Sequence, residues 1–478
     1  MKRDARTLFS ALILILSISC TPWEAVKQSG HPATIHGSFA SEKNWTHGYQ
    51  TTHEHKPNEI ASGEHSARVT FRDHTQEILG HAHRLIEKNE KEGAVLDQRW
   101  YTLKRFGKHQ DLIFNAAKVI FYGGREDDLQ MQLEKQYNSV VPVEDDQEPG
   151  EIRLFRGQRR DGPYDFIIIG QNGKEVALKT IIRLLYLTKF VDEKTKQRYG
   201  EKLKSFNKSL QIFMSSVSAR EEFIAFFKKH GISNPDAVMI GFSGDTRSVM
   251  SGRGIKDPHS YSDESLRVNW YTDVNGKKIL VVSINNDRIF ASRSGELIHA
   301  IFKISSNAPL SISFLGSGGA IDEPDLVGEI VIPTIVLNGD PFPSSRNKGV
   351  LVHIIRNKAI EQAVIKTAHA SVESVVVETT QWVNMMKNDR VKTVDQELFH
   401  IMDAINSSAS GRKIEIFVGI LVTDNVSSNA LANTDVTLEH AEDVISKTVD
   451  IRREFLSKVL KKLRIVEDDR LPQRSQAK

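Results

Sequence analysis

After Asn234-Pro235, short β-rich runs alternate with helical stretches, and this alternation limits the fold more than any other feature of the chain. The β-rich runs cover residues 237–241, 279–284, 311–315, 330–336, 374–377 and 414–422. A helical stretch covers residues 291–302, and a long amphipathic helix begins near Val444. Alternating strands and helices are typical of a sheet flanked by helices, with ligands bound at the strand ends. The sequence therefore predicts an α/β domain over residues 234–466.

The preceding segment, residues 66–233, is predicted to be a mainly helical domain. Its main helical patterns are residues 174–190 and the apolar stripe of Leu203, Phe206, Leu210 and Phe213. One strand-like run, residues 166–169, precedes the first of these patterns. No family resemblance is evident in this segment. Its role therefore stays open, and binding of a partner is one reading.

Residues 1–20 have the composition of an export signal, with three basic residues among the first six and an apolar run at 8–16. Nine helical residues span about 13 Å, too little for a bilayer core of about 30 Å. The segment resembles a bacterial lipoprotein signal, in which Cys20 is lipidated and anchors the protein to a membrane. A secretory signal cleaved near Ser19 is the alternative. Both readings predict an extracytoplasmic protein, with residues 21–65 as a flexible, His-rich spacer.

Charge and cysteine content exclude several classes of protein. Lys and Arg total 64 against 61 for Asp and Glu, and a net charge of +3 predicts no nucleic-acid partner. One cysteine excludes an internal disulfide. Nine of the 17 histidines lie between His31 and His83, but none of these pairs has helical ligand spacing with a carboxylate between. We therefore expect solvated histidines and no metal site, and a polar tail at residues 467–478.

The most specific stretch is residues 315–334, LGSGGAIDEPDLVGEIVIPT. A strand runs into a Gly-rich turn at residues 316–319, and a turn containing Pro324 and Gly328 leads into a second strand. Glycines allow a ligand to approach the backbone, and their amides with the Ser317 hydroxyl can hold an anion or a sugar oxygen. The whole string resembles the signature of the nucleoside phosphorylase superfamily. That superfamily includes purine nucleoside phosphorylases and methylthioadenosine/S-adenosylhomocysteine nucleosidases.

Further segments resemble this family in the same order along the chain. They are VMIGFSGDTR (238–247), NGKKILVVS (275–283), VVVETTQWV (375–383), VDQE (394–397) and GILVTDNVSS (419–428). The resemblance covers roughly residues 236–463, about half of the chain. It implies a nucleoside-phosphorylase-like domain with a central mixed, twisted sheet flanked by helices. It also implies a purine nucleoside as substrate, no cofactor, and a homo-oligomer in which subunits share sites.

The resemblance assigns roles at the base and the ribose. Asp424 corresponds to the acid that protonates the departing purine, Glu397 to the carboxylate that binds the ribose hydroxyls, and Trp382 to the ring stacked on the base. Gln396 replaces the methionine that packs under the ribose. Each assignment has an alternative. Asp424 could instead be a turn or helix-cap residue, and Trp382 could be a core residue. Glu397 could be a solvated helix carboxylate, in which case Glu378 is the other candidate for binding the ribose hydroxyls.

The nucleophile site departs from the family pattern. The resemblance places phosphate or water at Gly244, Asp245, Arg247 and Ser317, with Gly318 beside the substrate. However, the first loop is one residue shorter than in hexameric phosphorylases, and Phe314 stands where those enzymes have an arginine. Hydrolysis by water is therefore favoured over phosphorolysis, with phosphate as the one candidate co-substrate. A non-catalytic nucleoside-binding lipoprotein on the same fold is the alternative function.

Overall fold

The computed structural model describes residues 69–91, 102–103, 106–143, 152–160, 162–255, 258–262, 266–283, 292–306, 310–339, 349–351, 365–372, 380–409, 412, 414–426 and 443–463. Outside the described residues lie the predicted signal peptide with Cys20, the predicted spacer 21–65, the predicted strand 374–377 with Glu378, and the predicted tail 467–478.

The first part of the described chain is built around a six-stranded sheet in the order β1-β6-β2-β5-β4-β3. Its strands are β1 (Phe71–Asp73), β2 (Val119–Gly123), β3 (Tyr137–Pro142), β4 (Ile152–Arg159), β5 (Tyr164–Gly170) and β6 (Leu210–Ser215). Its helices are α1 (Thr75–Lys91), α2 (Gln110–Asn115), α3 (Glu126–Gln136), α4 (Lys174–Phe190), α5 (Glu193–Lys204) and α6 (Phe206–Ser209). β2 runs parallel to both β5 and β6, and the other pairs are antiparallel.

This sheet corrects the expectation of a mainly helical segment at residues 66–233. The helix predicted at 174–190 is confirmed as α4, and the predicted strand at 166–169 as part of β5. The apolar stripe from Leu203 to Phe213 is not one helix, because α5 ends at Lys204 and β6 begins at Leu210. β2 is buried along its whole length and so lacks the alternation that marks a strand in sequence. Helix outweighs strand in this segment, but the sheet organises it.

The two faces of the six-stranded sheet are covered differently. On one face, side chains of α1, α2 and α4 form the larger core with alternate strand residues such as Val119 and Phe121. On the other face, α3 contributes Leu129 and Leu133 to a smaller core with Ile120 and Ile167. Strand residues one apart therefore enter different cores, as the pleat of a sheet requires.

The second part is a ten-stranded mixed sheet in the order β13-β12-β14-β15-β11-β7-β10-β9-β8, with β16 paired to both β11 and β12. Its strands are β7 (Ala237–Gly241), β8 (His259–Ser262), β9 (Arg267–Thr272), β10 (Lys278–Ser283), β11 (Leu310–Ala320), β12 (Ile330–Asn338), β13 (Gly349–Leu351), β14 (Ile365–Ser371), β15 (Val391–Asp395) and β16 (Ile414–Asn425). The pairings β11-β15-β14-β12-β16-β11 close on themselves. The end of β11 is therefore enclosed by two neighbouring strands.

Helices cover both faces of the larger sheet. They are α7 (Ala219–Lys229), α8 (Ser243–Gly252), α9 (Ser292–Ile304), α10 (Thr380–Asn388), α11 (Leu398–Ser408) and α12 (Val449–Lys462). One face packs against α7, α9 and α11, and the other against α8 and α12. The predicted α/β domain with a central mixed sheet flanked by helices is confirmed. α7 precedes the predicted boundary at residue 234 but packs in the core of this sheet.

Among the helices that the structure describes, none combines the length and the apolar character needed to cross a bilayer.

Candidate functional site

The glycine-rich run at residues 316–319 belongs to a strand and not to the turn that the sequence predicted. β11 extends past this run, paired in parallel with β16 and antiparallel with β15. The predicted turn containing Pro324 and Gly328 is confirmed, with a 3₁₀ helix at Pro324–Leu326 and Gly328 at φ +92°. Ser317 is exposed and Gly318 is half-buried. The run is thus held in a sheet ladder and presents the Ser317 hydroxyl at its surface.

Close approaches from two sides explain why glycine occupies positions 318 and 319. A Cβ at Gly318 would lie 2.4 Å from the carbonyl oxygen of Val394 in β15. A Cβ at Gly319 would lie 2.4 Å from a methyl carbon of Val426 and 3.5 Å from Asp424 Oδ2. Ordinary side chains do not fit at the shorter of these distances. Glycine therefore lets the ends of β15 and β16 close on β11.

A β-bulge directs the Asp424 side chain. In the pairing of β16 with β11, Val422 lies opposite Gly318 and Asp424 opposite Gly319, so Thr423 is the extra residue. A bulge moves the following side chain to the face that regular alternation would deny it. Thr423 Oγ1 lies 2.9 Å from Asp424 Oδ1 and 3.3 Å from the Gly318 carbonyl oxygen. The half-buried Asp424 carboxylate is thereby held beside the glycine run.

Gln396 and Glu397 follow β15 directly, at the same end of β11. Because Gly319 pairs antiparallel with Val394, the chain after Val394 runs back along the glycine run. Both side chains are half-buried. The Glu397 carbonyl accepts a hydrogen bond from Ser294 Oγ at 3.1 Å, and α11 begins at the next residue. Gln396 Oε1 is buried and has no hydrogen-bond partner among the described residues, so a ligand donor would recover its desolvation cost.

A buried polar network fixes the start of α11. The Asp395 carboxylate accepts the Leu398 N–H at 3.1 Å and the Ser371 hydroxyl at 2.5 Å. Ser371 Oγ in turn accepts the Phe399 N–H at 2.8 Å. His369 Nε2 lies 2.9 Å from Asp395 Oδ1, without the alignment of a hydrogen bond. These contacts position the turn that carries Gln396 and Glu397.

Sequence reasoning missed the His369 and Ser371 members of this network. β14 reads IKTAHAS, and its polar residues Thr367, His369 and Ser371 are buried together with Ala370. An apolar alternation is therefore absent, although a strand is present. The signal that could have found them is their position, because His369 and Ser371 lie at the end of a strand that runs parallel to β15.

Trp382 occupies the hydrophobic core, the alternative that the sequence left open. Its side chain is 3% exposed and packs with Val383 and Met386 of α10 and with Val372. Its Nε1 donates a hydrogen bond to the Gly339 carbonyl oxygen at 2.6 Å. An indole buried and hydrogen-bonded in this way has no free face on which a purine can stack.

The junction of β7 and α8 is a tight strand-to-helix turn. Gly241 has φ +124°, and a Cβ there would lie 1.8 Å from the Leu315 carbonyl oxygen, so only glycine fits. α8 begins two residues later, and Gly244 is exposed in its first turn. The first N–H groups of a helix lack internal partners and attract anions. Arg247 is exposed one turn further along α8.

Asp245 is engaged in an ion pair that the sequence did not indicate. Arg452 Nε of α12 lies 2.6 Å from Asp245 Oδ2, and Arg453 Nε lies 3.4 Å from Oδ1. The Arg452 guanidinium also lies 4.5 Å from the centroid of the Phe242 ring. The Asp245 and Arg452 side chains are only 10% and 4% exposed. Asp245 therefore connects α8 to α12.

Five predicted residues gather around the end of β11: Ser317, Gly318, Gln396, Glu397 and Asp424. Gly244 and Arg247 lie on the helix that follows β7, whose last residue pairs with Leu315 of β11. Trp382 and Asp245 are held in packing and ion pairing instead. Within the described residues, no group of three or more His, Cys, Asp or Glu side chains is placed to hold a metal ion. The chemistry offered is that of carboxylates, hydroxyls and backbone groups.

Comparisons with known proteins return structural likenesses only. No family model and no curated protein matches the chain. The structure is similar to Helicobacter pylori MTAN, with 14% identity and a TM-score of 0.34 over 47% of this chain and 99% of that one. It is also similar to isoform 2 of purine nucleoside phosphorylase from Schistosoma mansoni, with 14% identity and a TM-score of 0.37 over 52% and 98% of the two chains. Likenesses this weak carry no conclusion about activity.

Proposed function

We propose that residues 234–466 cleave the N-glycosidic bond of a purine nucleoside and release the free base. The observation that carries this proposal is the convergence at the end of β11. There, the exposed Ser317 and the glycine run lie between the Asp424 carboxylate on β16 and the turn with Gln396 and Glu397 after β15. Three segments far apart in sequence, each matched to the same family motif set, thus meet at one place.

Asp424 is the proposed leaving-group acid. Cleavage of the bond builds negative charge on the purine, and a carboxylic acid near the departing ring nitrogen can protonate it or donate a hydrogen bond to it. The bulge at Thr423 and the absence of a side chain at Gly319 hold this carboxyl group in a defined position. Asp424 remains half-buried at the strand end, where a ligand can reach it.

Glu397 is the proposed ribose ligand. The sugar gains positive charge as the bond breaks, and a carboxylate that accepts its hydroxyls stabilises that charge. The network of Asp395, Ser371 and His369 fixes the backbone that carries Glu397. Gln396 would offer its unpaired carbonyl oxygen to a ribose hydroxyl.

Water is the proposed nucleophile. Both Asp245 oxygens are engaged by arginines of α12, so this carboxylate takes no part as a base. The first turn of α8 with Gly244, together with Ser317, supplies N–H and hydroxyl groups that can orient water or hold phosphate. Because the same groups can hold phosphate, base release that requires phosphate would show that the reaction is phosphorolysis.

Non-catalytic nucleoside binding is the second candidate function. It is favoured by the position of Trp382, whose buried ring leaves the proposed base site without its expected stacking partner. A protein that keeps the sugar site but does not activate the purine for departure would bind nucleosides as a receptor does. Calorimetric binding of adenosine without turnover would support this candidate.

The deciding experiment measures base release from adenosine, inosine and methylthioadenosine, with and without phosphate. We expect turnover without phosphate, and a loss of about 10²- to 10⁴-fold in Asp424→Asn. Asp403→Asn, an exposed aspartate on α11, is the matched control and should keep wild-type activity. Base release from none of the three nucleosides, or equal rates in Asp424→Asn and wild type, would contradict the enzymatic proposal.

The cellular context is proposed from the sequence. Cys20 is the lipidated residue, and the protein acts outside the cytoplasm on a membrane, as a homo-oligomer. Cys20→Ser should move the protein from the membrane fraction to the soluble extracytoplasmic fraction. Retention in the membrane fraction would contradict the anchor, and light scattering of the purified protein reports the oligomeric state.

A further inference from the structure

A cleft of about 710 Å³ opens on the face of the six-stranded sheet that carries α3. Gln132 and Gln136 of α3 line one side of it, and strands β1, β2 and β6 form its floor. Its volume is in the range of pockets that bind small molecules. None of the residues in the candidate nucleoside site lines it.

The floor of the cleft is aromatic. Tyr122 of β2 stacks on Phe213 of β6, with ring centroids 5.4 Å apart and planes 22° apart. Phe71 of β1 meets Tyr122 edge-on at 5.9 Å. Phe71 and Phe213 are half-buried, so part of each ring faces the cleft. Such a surface favours a planar ring, which packs edge-on or offset-stacked against its neighbours.

The polar wall of the cleft has an excess of positive charge. Lys118, Arg159 and Arg160 line it, and Asp165 is the one carboxylate among the described lining residues. Asp165 is buried and already accepts hydrogen bonds from Tyr137 Oη at 2.9 Å, Arg159 Nε at 2.8 Å and the Lys118 N–H at 3.1 Å. Asp165 therefore neutralises and orients Arg159. The charges of Lys118 and Arg160 remain for a ligand.

Further hydrogen-bond donors in the cleft have only weak partners in the protein. Lys118 Nζ donates to the neutral Gln211 Oε1 at 3.1 Å, and Arg160 is exposed at the rim. Tyr122 Oη lies 3.4 Å from Gln136 Oε1, longer than an ordinary hydroxyl hydrogen bond. Burial, with the nearby Asp165 charge, raises the pKa of Tyr122 to about 12. Its hydroxyl therefore stays protonated and can donate to an anion at neutral pH.

We propose that this cleft binds a small organic anion that carries an aromatic ring. The ring packs on Phe71 and Phe213, and the anionic group accepts hydrogen bonds from Lys118 and the Tyr122 hydroxyl, with Arg160 closing the rim. Both features are required, because the floor offers apolar packing and the wall offers charge-assisted hydrogen bonds. The proposal does not depend on nucleoside cleavage, whose residues lie in the other sheet.

Three probes separate the two features: 2-naphthoate, the uncharged 2-naphthalenemethanol, and the non-aromatic cyclohexanecarboxylate. Equilibrium dialysis with the full chain measures the affinity of each. We expect 2-naphthoate to bind one site, and each of the other probes to bind about tenfold more weakly. Equal affinity for all three probes, or no binding of 2-naphthoate at about 1 mM, would overturn the proposal.

Two variants test the location of the site. Lys118→Gln with Arg160→Gln should weaken 2-naphthoate about tenfold while leaving 2-naphthalenemethanol unchanged. Arg72→Gln is the matched control, since Arg72 is exposed on β1 and pairs with Met214, which faces the other core. Thermal melting checks that both proteins remain folded. Unchanged 2-naphthoate affinity in the double variant, or an equal loss in Arg72→Gln, would refute the site.

Discussion

The two sheets of this protein offer a ligand different surfaces: strand ends in the larger sheet and a sheet face in the smaller one. The ten-stranded sheet has helices on both faces, and its candidate site lies where strands end. The six-stranded sheet has its larger core on one face, while the other face carries α3 and an open cleft. Polar chemistry therefore gathers at strand ends in the larger sheet and on the sheet face in the smaller one. A ligand can bind only where the helices leave the backbone and the side chains of a sheet uncovered.

The same difference separates two of the buried carboxylates that pair with arginine, Asp245 and Asp165. Asp245 in the larger part is held by Arg452, whose side chain is 4% exposed. Asp165 in the smaller sheet is held by Arg159, whose side chain is 35% exposed, and also by Tyr137. A pair enclosed by helices depends on its partner more than a pair that borders solvent.

The largest effect is expected from Arg452→Met. The substitution leaves the buried Asp245 carboxylate with only the more exposed Arg453, and we expect a loss of about 3–5 kcal/mol in the free energy of unfolding. Arg453→Met is the control. Its side chain is 44% exposed, so the loss should stay below about 1 kcal/mol. Urea unfolding measures both.

Arg159→Met extends this test to the smaller sheet. We expect a loss of about 1–2 kcal/mol, because Asp165 keeps its bonds to Tyr137 and to the Lys118 N–H. A loss as large as that of Arg452→Met would break the contrast between the two pairs.

A second test concerns the packing of strand ends in the larger sheet. Gly318→Ala would place a Cβ 2.4 Å from the Val394 carbonyl oxygen, which belongs to the backbone and cannot rotate away. We expect a loss of about 3 kcal/mol and weaker nucleoside binding. Gly200→Ala in α5 is the control, because a Cβ there meets nothing within 4 Å. It should stabilise the protein by about 0.5–1 kcal/mol, and destabilisation by both variants would argue against a specific clash.

A further effect is expected from pH. Burial, with the nearby Arg84 charge, lowers the pKa of His81 in α1 from its ordinary 6.5 to about 4. Between pH 4 and pH 6.5, His81 is therefore protonated in the unfolded chain and neutral in the folded chain. Stability is complete above pH 6.5 and falls by about 3 kcal/mol as the pH drops toward 4.

His81→Gln should flatten this dependence of unfolding free energy on pH. His83→Gln is the matched control, because His83 is exposed on the same helix. An identical pH profile in wild type and His81→Gln would contradict the assignment.

Much of the larger sheet was predictable from local pattern. The apolar runs that became β7, β10, β11, β12 and β16 each lie in a buried strand, and their order along the chain indicated the α/β architecture. β14 was not predictable, since most of its buried residues are polar, and His369 and Ser371 bond to Thr393 and Asp395 of β15. The six-stranded sheet was missed because β2 is buried throughout and β6 continues an apolar spacing that α5 begins.

The sequence by itself determined the residue types at the candidate site: a glycine run that contains a serine, and carboxylates at two later segments. Tertiary structure decided which of these meet. Strand register brings Asp424, Gln396 and Glu397 to β11, whereas packing withdraws Trp382 into the core and ion pairing withdraws Asp245 toward α12. The physical reason is that chemistry depends on which side chains remain uncovered. That outcome depends on contacts between residues tens or hundreds of positions apart.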